Sequence, residues 1–226
     1  MPVSSLAVSQ VRFRTEDDLT LEGELRAAEG RPRGTAVLCH PHPEHGGSKD
    51  HPILWAVRND LAGRRELTVL TFNFRGVMGS EGTYGGGEAE LADVAAAVDR
   101  VREEAEGPTV LVGWSFGAWI ALRHALTDGR IEALVLIAFP IGSRASSTKR
   151  PLPEVGDLER LSIPTLFVAG DRDDICPVDA IRDMSAWIPG AETVVIEGAD
   201  HFFGRREREM ATAIGEWVDE VLSRGS

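Results

Sequence analysis

Cysteine, basic residues and long apolar runs are scarce in this 226-residue chain, and each scarcity excludes a class of protein. With two cysteines, Cys39 and Cys176, the chain lacks a disulfide framework, so we expect free thiols in a reducing compartment. No apolar run approaches the ~20 residues that span a bilayer. Residues 1–10 contain no basic segment followed by an apolar one, so no export signal is indicated. We therefore expect a cytoplasmic protein that is not inserted in a membrane.

Acidic residues outnumber basic ones, 36 to 24, which gives a net charge of −12 and a pI near 5.0. Such a chain repels the phosphates of nucleic acid, so we expect no nucleic-acid partner. Arg205, Arg206 and Arg208 lie close together, but Glu207 and Glu209 alternate with them, as on a solvated helix face.

Eight segments of strand length alternate with helical patterns along the chain. The strand-like segments are residues 8–14, 19–26, 35–40, 67–73, 109–114, 133–139, 164–170 and 192–198. The first two alternate polar and apolar residues, as in an antiparallel hairpin, whereas the others are continuous apolar runs typical of strands buried on both faces. The helical patterns cover residues 51–63, 88–106, 115–127, 177–187 and 205–222.

This alternation predicts a single doubly wound α/β domain over residues 1–226, with a mainly parallel eight-stranded sheet and helices on both faces. The length supports one substantial core and is short for two domains. Residues 141–162 show no clear pattern apart from a possible short helix over residues 154–161. We interpret them as a minimal, lid-like loop.

The motif Gly113-Trp114-Ser115-Phe116-Gly117 follows an apolar strand and opens a helical pattern. A G-x-S-x-G sequence in that context predicts a tight, strained turn that presents the serine at the N-terminus of a helix, where negative charge is favoured. We therefore predict that Ser115 is a nucleophile.

A serine nucleophile needs a base, and His201 follows the last predicted strand in the order Ser…Asp…His. His124 lies within a helical pattern and is interpreted as structural. The acid should follow the preceding strand, where Asp171, Asp173 and Asp174 compete. Asp171 is near enough to the strand to bond the turn, and Asp174 is placed to cap the turn or the next helix. We favour Asp173, with Asp174 as the alternative.

An oxyanion intermediate requires two aligned N–H donors. One should be the backbone N–H of Phe116, the residue after the nucleophile. The other should come from the loop after residues 35–40, where Pro41 and Pro43 have no N–H to donate. The backbone N–H of His42 is therefore the second predicted donor.

Three further residues are candidates for the substrate pocket: Trp114, Met78 and Phe202. Arg75, after the strand at residues 67–73, either lies at the pocket mouth or holds its loop through backbone carbonyls, and we favour the second interpretation. Imidazoles and carboxylates within a dozen residues also suggest a zinc site. They are His40, His42, Glu44, His45, Asp50 and His51. Because an oxyanion loop explains this segment, we predict neither metal nor cofactor.

The chain resembles the α/β-hydrolase superfamily, and within it the small hydrolases similar to dienelactone hydrolase that lack a large cap. The resemblance runs from about Leu19 to the last helix. It depends on the HPHP segment with Gly46-Gly47, on NFRG with SEG, on GWSFG, and on the paired GDRDD and GADHF loops. In that family the acid lies three residues after the glycine that ends the strand, which here is Asp173. Family members often have glycine where this chain has Met78.

The resemblance implies a serine hydrolase that forms an acyl-enzyme and acts on esters of small or medium acyl groups. Thioesters, lactones and amides fit the same residues, as does acyl transfer or cyclisation in a biosynthetic pathway. A non-catalytic binding module would lack a member of the triad, and a peptidase would carry a larger lid or a propeller. We expect a small-molecule acyl substrate and a monomer or homodimer.

Overall fold

A computed structural model describes residues 8–28, 30–141 and 151–224, and these residues build one eight-stranded sheet. The strands are β1 (Val8–Arg14), β2 (Thr20–Arg26), β3 (Gly34–Cys39), β4 (Leu67–Phe72), β5 (Thr109–Trp114), β6 (Ala133–Ile137), β7 (Thr165–Gly170) and β8 (Glu192–Ile196). Their order across the sheet is β1-β2-β4-β3-β5-β6-β7-β8.

Only β2 departs from the parallel arrangement of the remaining strands. It pairs antiparallel with both β1 and β4, and every other described pair is parallel. This confirms the predicted antiparallel hairpin and the mainly parallel sheet. Because β3, β5, β7 and β8 run in the same direction, the loops that follow them meet at one edge.

Helices cover both faces of the sheet. They are α1 (Pro52–Arg64), α2 (Glu90–Arg102), α3 (Phe116–Ala125), α4 (Val155–Leu158), α5 (Val178–Ser185) and α6 (Glu207–Arg224). Side chains of α1 and α6 pack in one apolar cluster, and those of α2, α3 and α5 pack in another on the opposite face.

The central strands supply both clusters by alternation. In β3, Val37 and Cys39 face the α2–α3 side, whereas Ala36 and Leu38 face the α1–α6 side. In a strand buried on both faces, successive side chains all point into apolar surroundings, so polar residues do not alternate with apolar ones. This explains why the runs in the sequence are continuous rather than alternating.

The predicted lid-like segment is only partly visible, because residues 142–150 lie outside the described residues. From residue 151 onwards the segment runs beside α3: the Trp119 indole N–H donates to the carbonyl of Pro151 at 3.0 Å. It contains the short helix α4, near the position expected. A groove of about 800 Å³ separates this segment from the C-terminal end of α3, the end away from Ser115. Among the described helices, none is both long and apolar enough to cross a membrane.

Candidate active site

Ser115 occupies a strained turn between β5 and α3. Its backbone has φ 54° and ψ −115°, a left-handed conformation that L-residues rarely adopt, and its N–H donates to the carbonyl of Ile137 at 2.8 Å. A Cβ atom on Gly113 would lie 2.3 Å from the carbonyl oxygen of Gly117. One on Gly117 would lie 2.3 Å from the carbonyl oxygen of Cys39. The two glycines therefore let β3, β5 and α3 approach closely enough to force the turn.

The three side chains chosen from the sequence meet above this turn. Ser115 Oγ lies 3.1 Å from His201 Nε2, and His201 Nδ1 lies 2.8 Å from Asp173 Oδ2. The Asp173 carboxylate is fully buried, and its other oxygen accepts the N–H groups of Ile175 and Cys176, each at 2.8 Å. A carboxylate only accepts hydrogen bonds, so Nδ1 carries the imidazole proton and Nε2 presents its lone pair to Ser115.

The competing aspartates have different environments. Asp171 Oδ1 accepts the N–H of Gly198 at 2.6 Å, which ties the loop after β7 to the loop after β8. Asp174 is exposed and makes no hydrogen bond to the described residues. It does not cap α5, whose N-cap is Pro177. Within the described chain, Asp173 alone of the three reaches the histidine.

Trp114 supports the backbone of His201. The indole N–H of Trp114 donates to the carbonyl of His201 at 3.2 Å, and its ring is 1% exposed in the core on the α1–α6 face. Phe202 contacts both rings: it is 55% exposed, and its ring centroid lies 5.4 Å from that of His201 and 5.9 Å from that of Trp114. The aromatic residues grouped from the sequence therefore lie together, but Trp114 is buried beneath the histidine and Phe202 is exposed beside it.

His42 lies beside Phe116 at the start of α3. The ring centroids of the two residues are 5.1 Å apart. The carbonyl of His42 accepts the N–H groups of His45 and Gly47, at 3.1 and 3.0 Å, and its Nδ1 accepts the N–H of Glu44 at 3.2 Å. This turn is therefore fixed by its own backbone next to the nucleophile.

His40 was considered from the sequence only as a possible metal ligand, and the structure gives it a different place. It is fully buried. Its Nδ1 bonds the carbonyl of Pro41 at 2.6 Å, and its Nε2 accepts the N–H of Phe74 at 3.0 Å. Burial lowers the pKa of His40 to about 4, so the ring is neutral near pH 7. It joins the loop after β3 to the loop after β4.

The histidines of the segment that was considered as a zinc site, and not favoured, make local contacts. His51 Nδ1 accepts the N–H of Ile53 at 3.3 Å at the start of α1, and His42 stacks on His45 at 4.3 Å between centroids. Among the described residues, the group whose ligand atoms converge is instead Asp173, Cys176 and His201. Both cysteines are buried, and neither forms a disulfide bond with another described residue.

The loop after β4 is pinned by a buried arginine. Arg75 forms ion pairs with Asp93 at 2.7 Å and Asp17 at 2.8 Å. The favoured interpretation, a loop-pinning arginine, is therefore right in role, although the partners are carboxylates rather than the backbone carbonyls expected. Met78, in the same loop, is 76% exposed and has φ 51°, a conformation that suits the glycine found in the resembling family.

Tyr84 is a residue near the site that sequence reasoning missed. Its ring centroid lies 4.9 Å from that of His42 and 5.8 Å from that of Phe116. It stands in a loop without periodicity, and the sequence contains no other tyrosine that would suggest a pattern.

Comparison with known proteins agrees with this architecture. The sequence model of the alpha/beta hydrolase domain family matches residues 34–223. An uncharacterised protein of Rickettsia prowazekii is 28% identical over 214 residues, which are 90% of this chain and 86% of that one.

Two solved structures have the same fold over nearly their whole length. An α/β serine hydrolase homologue from Coxiella burnetii is 27% identical with a TM-score of 0.79, covering 92% of this chain and 96% of that one. A serine hydrolase without a lid from Xanthomonas campestris is 25% identical with a TM-score of 0.82, covering 97% of each chain.

Proposed function

The chain belongs to the α/β-hydrolase family, and we propose that it is a serine hydrolase that cleaves carboxylic esters of small or medium acyl groups. The observation that carries the proposal is the continuous hydrogen-bonded series from Ser115 through His201 to Asp173. It starts at a strained serine on a helix N-terminus, where a nucleophile is exposed and developing negative charge is stabilised.

In the proposed reaction, Ser115 Oγ attacks the carbonyl carbon while His201 Nε2 takes the serine proton. The imidazolium then donates that proton to the leaving alcohol, and water, activated by the same nitrogen, releases the acid from the acyl-enzyme. Asp173 fixes the tautomer of His201 and stabilises its charged form. The backbone N–H groups of Phe116 and His42 hold the oxyanion, where preorganised donors contribute most.

The partial exposure of the candidate nucleophile favours water as the acyl acceptor. Ser115 is partly exposed, and residues 151–163 line a groove at the far end of α3. Acyl transfer or cyclisation needs a drier pocket than this. Thioesters and lactones remain compatible with the same residues.

The exposed residues Phe202 and Met78 are the proposed walls of the acyl pocket. Trp114 takes a positioning role instead, since its burial and its hydrogen bond to the His201 carbonyl put it behind the base.

The test is covalent labelling with a fluorophosphonate, followed by mass spectrometry. We expect one stoichiometric adduct on Ser115 and none on the Ser115→Ala variant. Ser143, Ser146 and Ser147, which fall outside the described residues, serve as internal controls. An adduct on any of them, or active protein without an adduct, contradicts the proposal.

A parallel screen with p-nitrophenyl esters and thioesters of increasing acyl length defines the substrate range. Partitioning between water and an added alcohol separates hydrolysis from transfer: products that are mainly transesterified would favour the acyltransferase alternative.

A further inference from the structure

Cys176 brings a thiol to the buried side of the candidate triad. Its Sγ lies 3.6 Å from His201 Nδ1 and 3.3 Å from the carbonyl oxygen of Ala138. The ligand atoms of Asp173, Cys176 and His201 all lie within 4.8 Å of one another, and all three residues are buried. The ester-hydrolysis mechanism uses the backbone N–H of Cys176 but not its thiol.

We propose that Asp173, Cys176 and His201 form an inhibitory site for Zn²⁺. Binding concerns these residues alone, whereas its effect on activity rests on the proposed function. Thiolate, imidazole and carboxylate are the three protein ligands that zinc prefers.

The distance between the thiol and the imidazole suits a tetrahedral ion. Zn–S near 2.3 Å and Zn–N near 2.0 Å place the two ligand atoms about 3.5 Å apart, and Sγ and Nδ1 are 3.6 Å apart. Asp173 Oδ2 and His201 Nδ1 are 2.8 Å apart. They must separate by about 0.5 Å to admit the ion between them.

A groove on the outer face lies beside this region, and the Asp173 carboxylate and Cys176 are buried behind it. It has a volume of about 490 Å³, and Asp173 is part of its lining. The exposed acidic side chains of Asp171, Asp174 and Asp179 also line it, together with Arg172 and Arg182. The four aspartates outnumber the two arginines, so the groove, like the whole chain with its net charge of −12, favours cations near the buried ligands.

Ion binding removes the base without blocking the substrate. The Cys176 thiol releases its proton to solvent, and the metal replaces the proton on His201 Nδ1. The neutral imidazole then carries its proton on Nε2, so it cannot accept the proton of Ser115. Inhibition should therefore lower kcat and leave KM unchanged.

The first experiment titrates Zn²⁺ into active enzyme in buffer free of thiols and chelators. We expect kcat to fall with unchanged KM. Cys176→Ala and Cys176→Ser leave the backbone N–H to Asp173 in place. In both variants the half-inhibiting concentration, measured against each variant's own rate without zinc, should rise about 100-fold, because even an outer partner of a metal ligand contributes about 10- to 100-fold in affinity. Cys176→Ser keeps the shape of the side chain and removes the sulfur.

The matched control is His45→Gln, at an exposed histidine two residues after the HPHP segment. It should be inhibited like the wild type. Inhibition that survives in both Cys176 variants, disappears in His45→Gln, or raises KM instead of lowering kcat overturns the proposed site.

The second experiment measures metal binding directly and does not depend on enzyme activity. Co²⁺ added to Ser115→Ala should produce thiolate-to-cobalt charge-transfer absorption, which is absent from Ser115→Ala combined with Cys176→Ala. That band in Ser115→Ala, together with a wild-type protein that has no esterase activity, keeps the metal site and contradicts the proposed function. Active enzyme with neither the band nor inhibition keeps the function and overturns the metal site.

Discussion

Asp173 and Asp174 are adjacent in sequence and opposite in environment. The carboxylate of Asp173 is fully buried and bonded to His201 and to two backbone N–H groups, whereas that of Asp174 is exposed. The difference arises from the turn after β7, where the N–H of Asp173 donates to the carbonyl of Gly170 at 3.2 Å. This bond folds the turn so that one side chain points inward and the next points outward.

Asp173→Asn should leave the protein folded and lower kcat by about 10³ to 10⁴, because an amide no longer fixes the imidazole tautomer. Asp174→Asn is the matched control and should change kcat little. Steady-state kinetics with a p-nitrophenyl ester compare the two. If Asp174→Asn is the crippling change, the acid has been wrongly identified.

Ser115→Ala and His201→Ala should each lower kcat by about 10⁴ to 10⁶, and the double variant should be little worse than either. The reason is that a nucleophile without its base, or a base without its nucleophile, has no partner for proton transfer. Kinetics of the three variants test this. Losses that multiply would show that the two residues act independently.

At the scale of the element, the strands and the loops that follow them were largely predictable. The bounds of β1 and β5 agree with the sequence patterns, and the others differ by one or two residues. Continuous apolar runs report burial on both faces, and parallel strands bring their following loops together. The G-x-S-x-G motif, the chain order Ser…Asp…His and the family resemblance then placed Ser115, Asp173 and His201 at one edge of the sheet.

The contacts that hold these loops were not predictable. His40 bonds Phe74 across 34 positions, Trp114 bonds His201 across 87, and Arg75 pairs with Asp17 across 58. Periodicity reports whether a residue is buried, but the partner of a buried polar group depends on how distant loops are juxtaposed. For this reason Trp114 was assigned to the pocket and His40 to a possible metal cluster.

The close packing of β3 against α3 predicts a sharp glycine requirement. Gly117→Ala should lower the free energy of unfolding by about 1–3 kcal/mol or more, since the new Cβ meets rigid backbone and not a side chain that can move. Gly129→Ala is the control, because a Cβ there meets nothing within 4 Å. Urea denaturation measures both. A Gly117→Ala variant as stable as Gly129→Ala would show that β3 and α3 are not packed as described.

For the whole molecule, we expect stability to be lost over two separate pH ranges as the pH falls, one set by histidines and one by aspartates. Burial lowers the pKa of His40, His51 and His124 in the folded state. Hydrogen bonds from Arg75 and Arg130 lower the pKa of Asp17 and Asp128, respectively, each to about 2. The histidine contribution to stability is complete above the unfolded histidine pKa and is lost as pH falls. The aspartate contribution is lost only below the ordinary pKa of a carboxyl group.

His40 dominates the upper window, because its pKa falls from about 6.5 in the unfolded chain to about 4 in the folded one. Protonation therefore favours the unfolded state. At pH 4, protonation of this residue should have lowered the free energy of unfolding by about 3 kcal/mol, and nearly all of that loss should occur between pH 6.5 and 4. In His40→Gln, that part of the pH dependence should disappear, while overall stability near pH 7 falls because the bonds to Pro41 and Phe74 are lost or weakened. The measurement is the free energy of unfolding from urea titrations at several pH values, with the exposed His45→Gln as control. If the free energy of unfolding of His40→Gln changes with pH in parallel with that of the wild type between pH 6.5 and 4, His40 is not a buried neutral ring. The contact that it makes between the two loops would then be wrong.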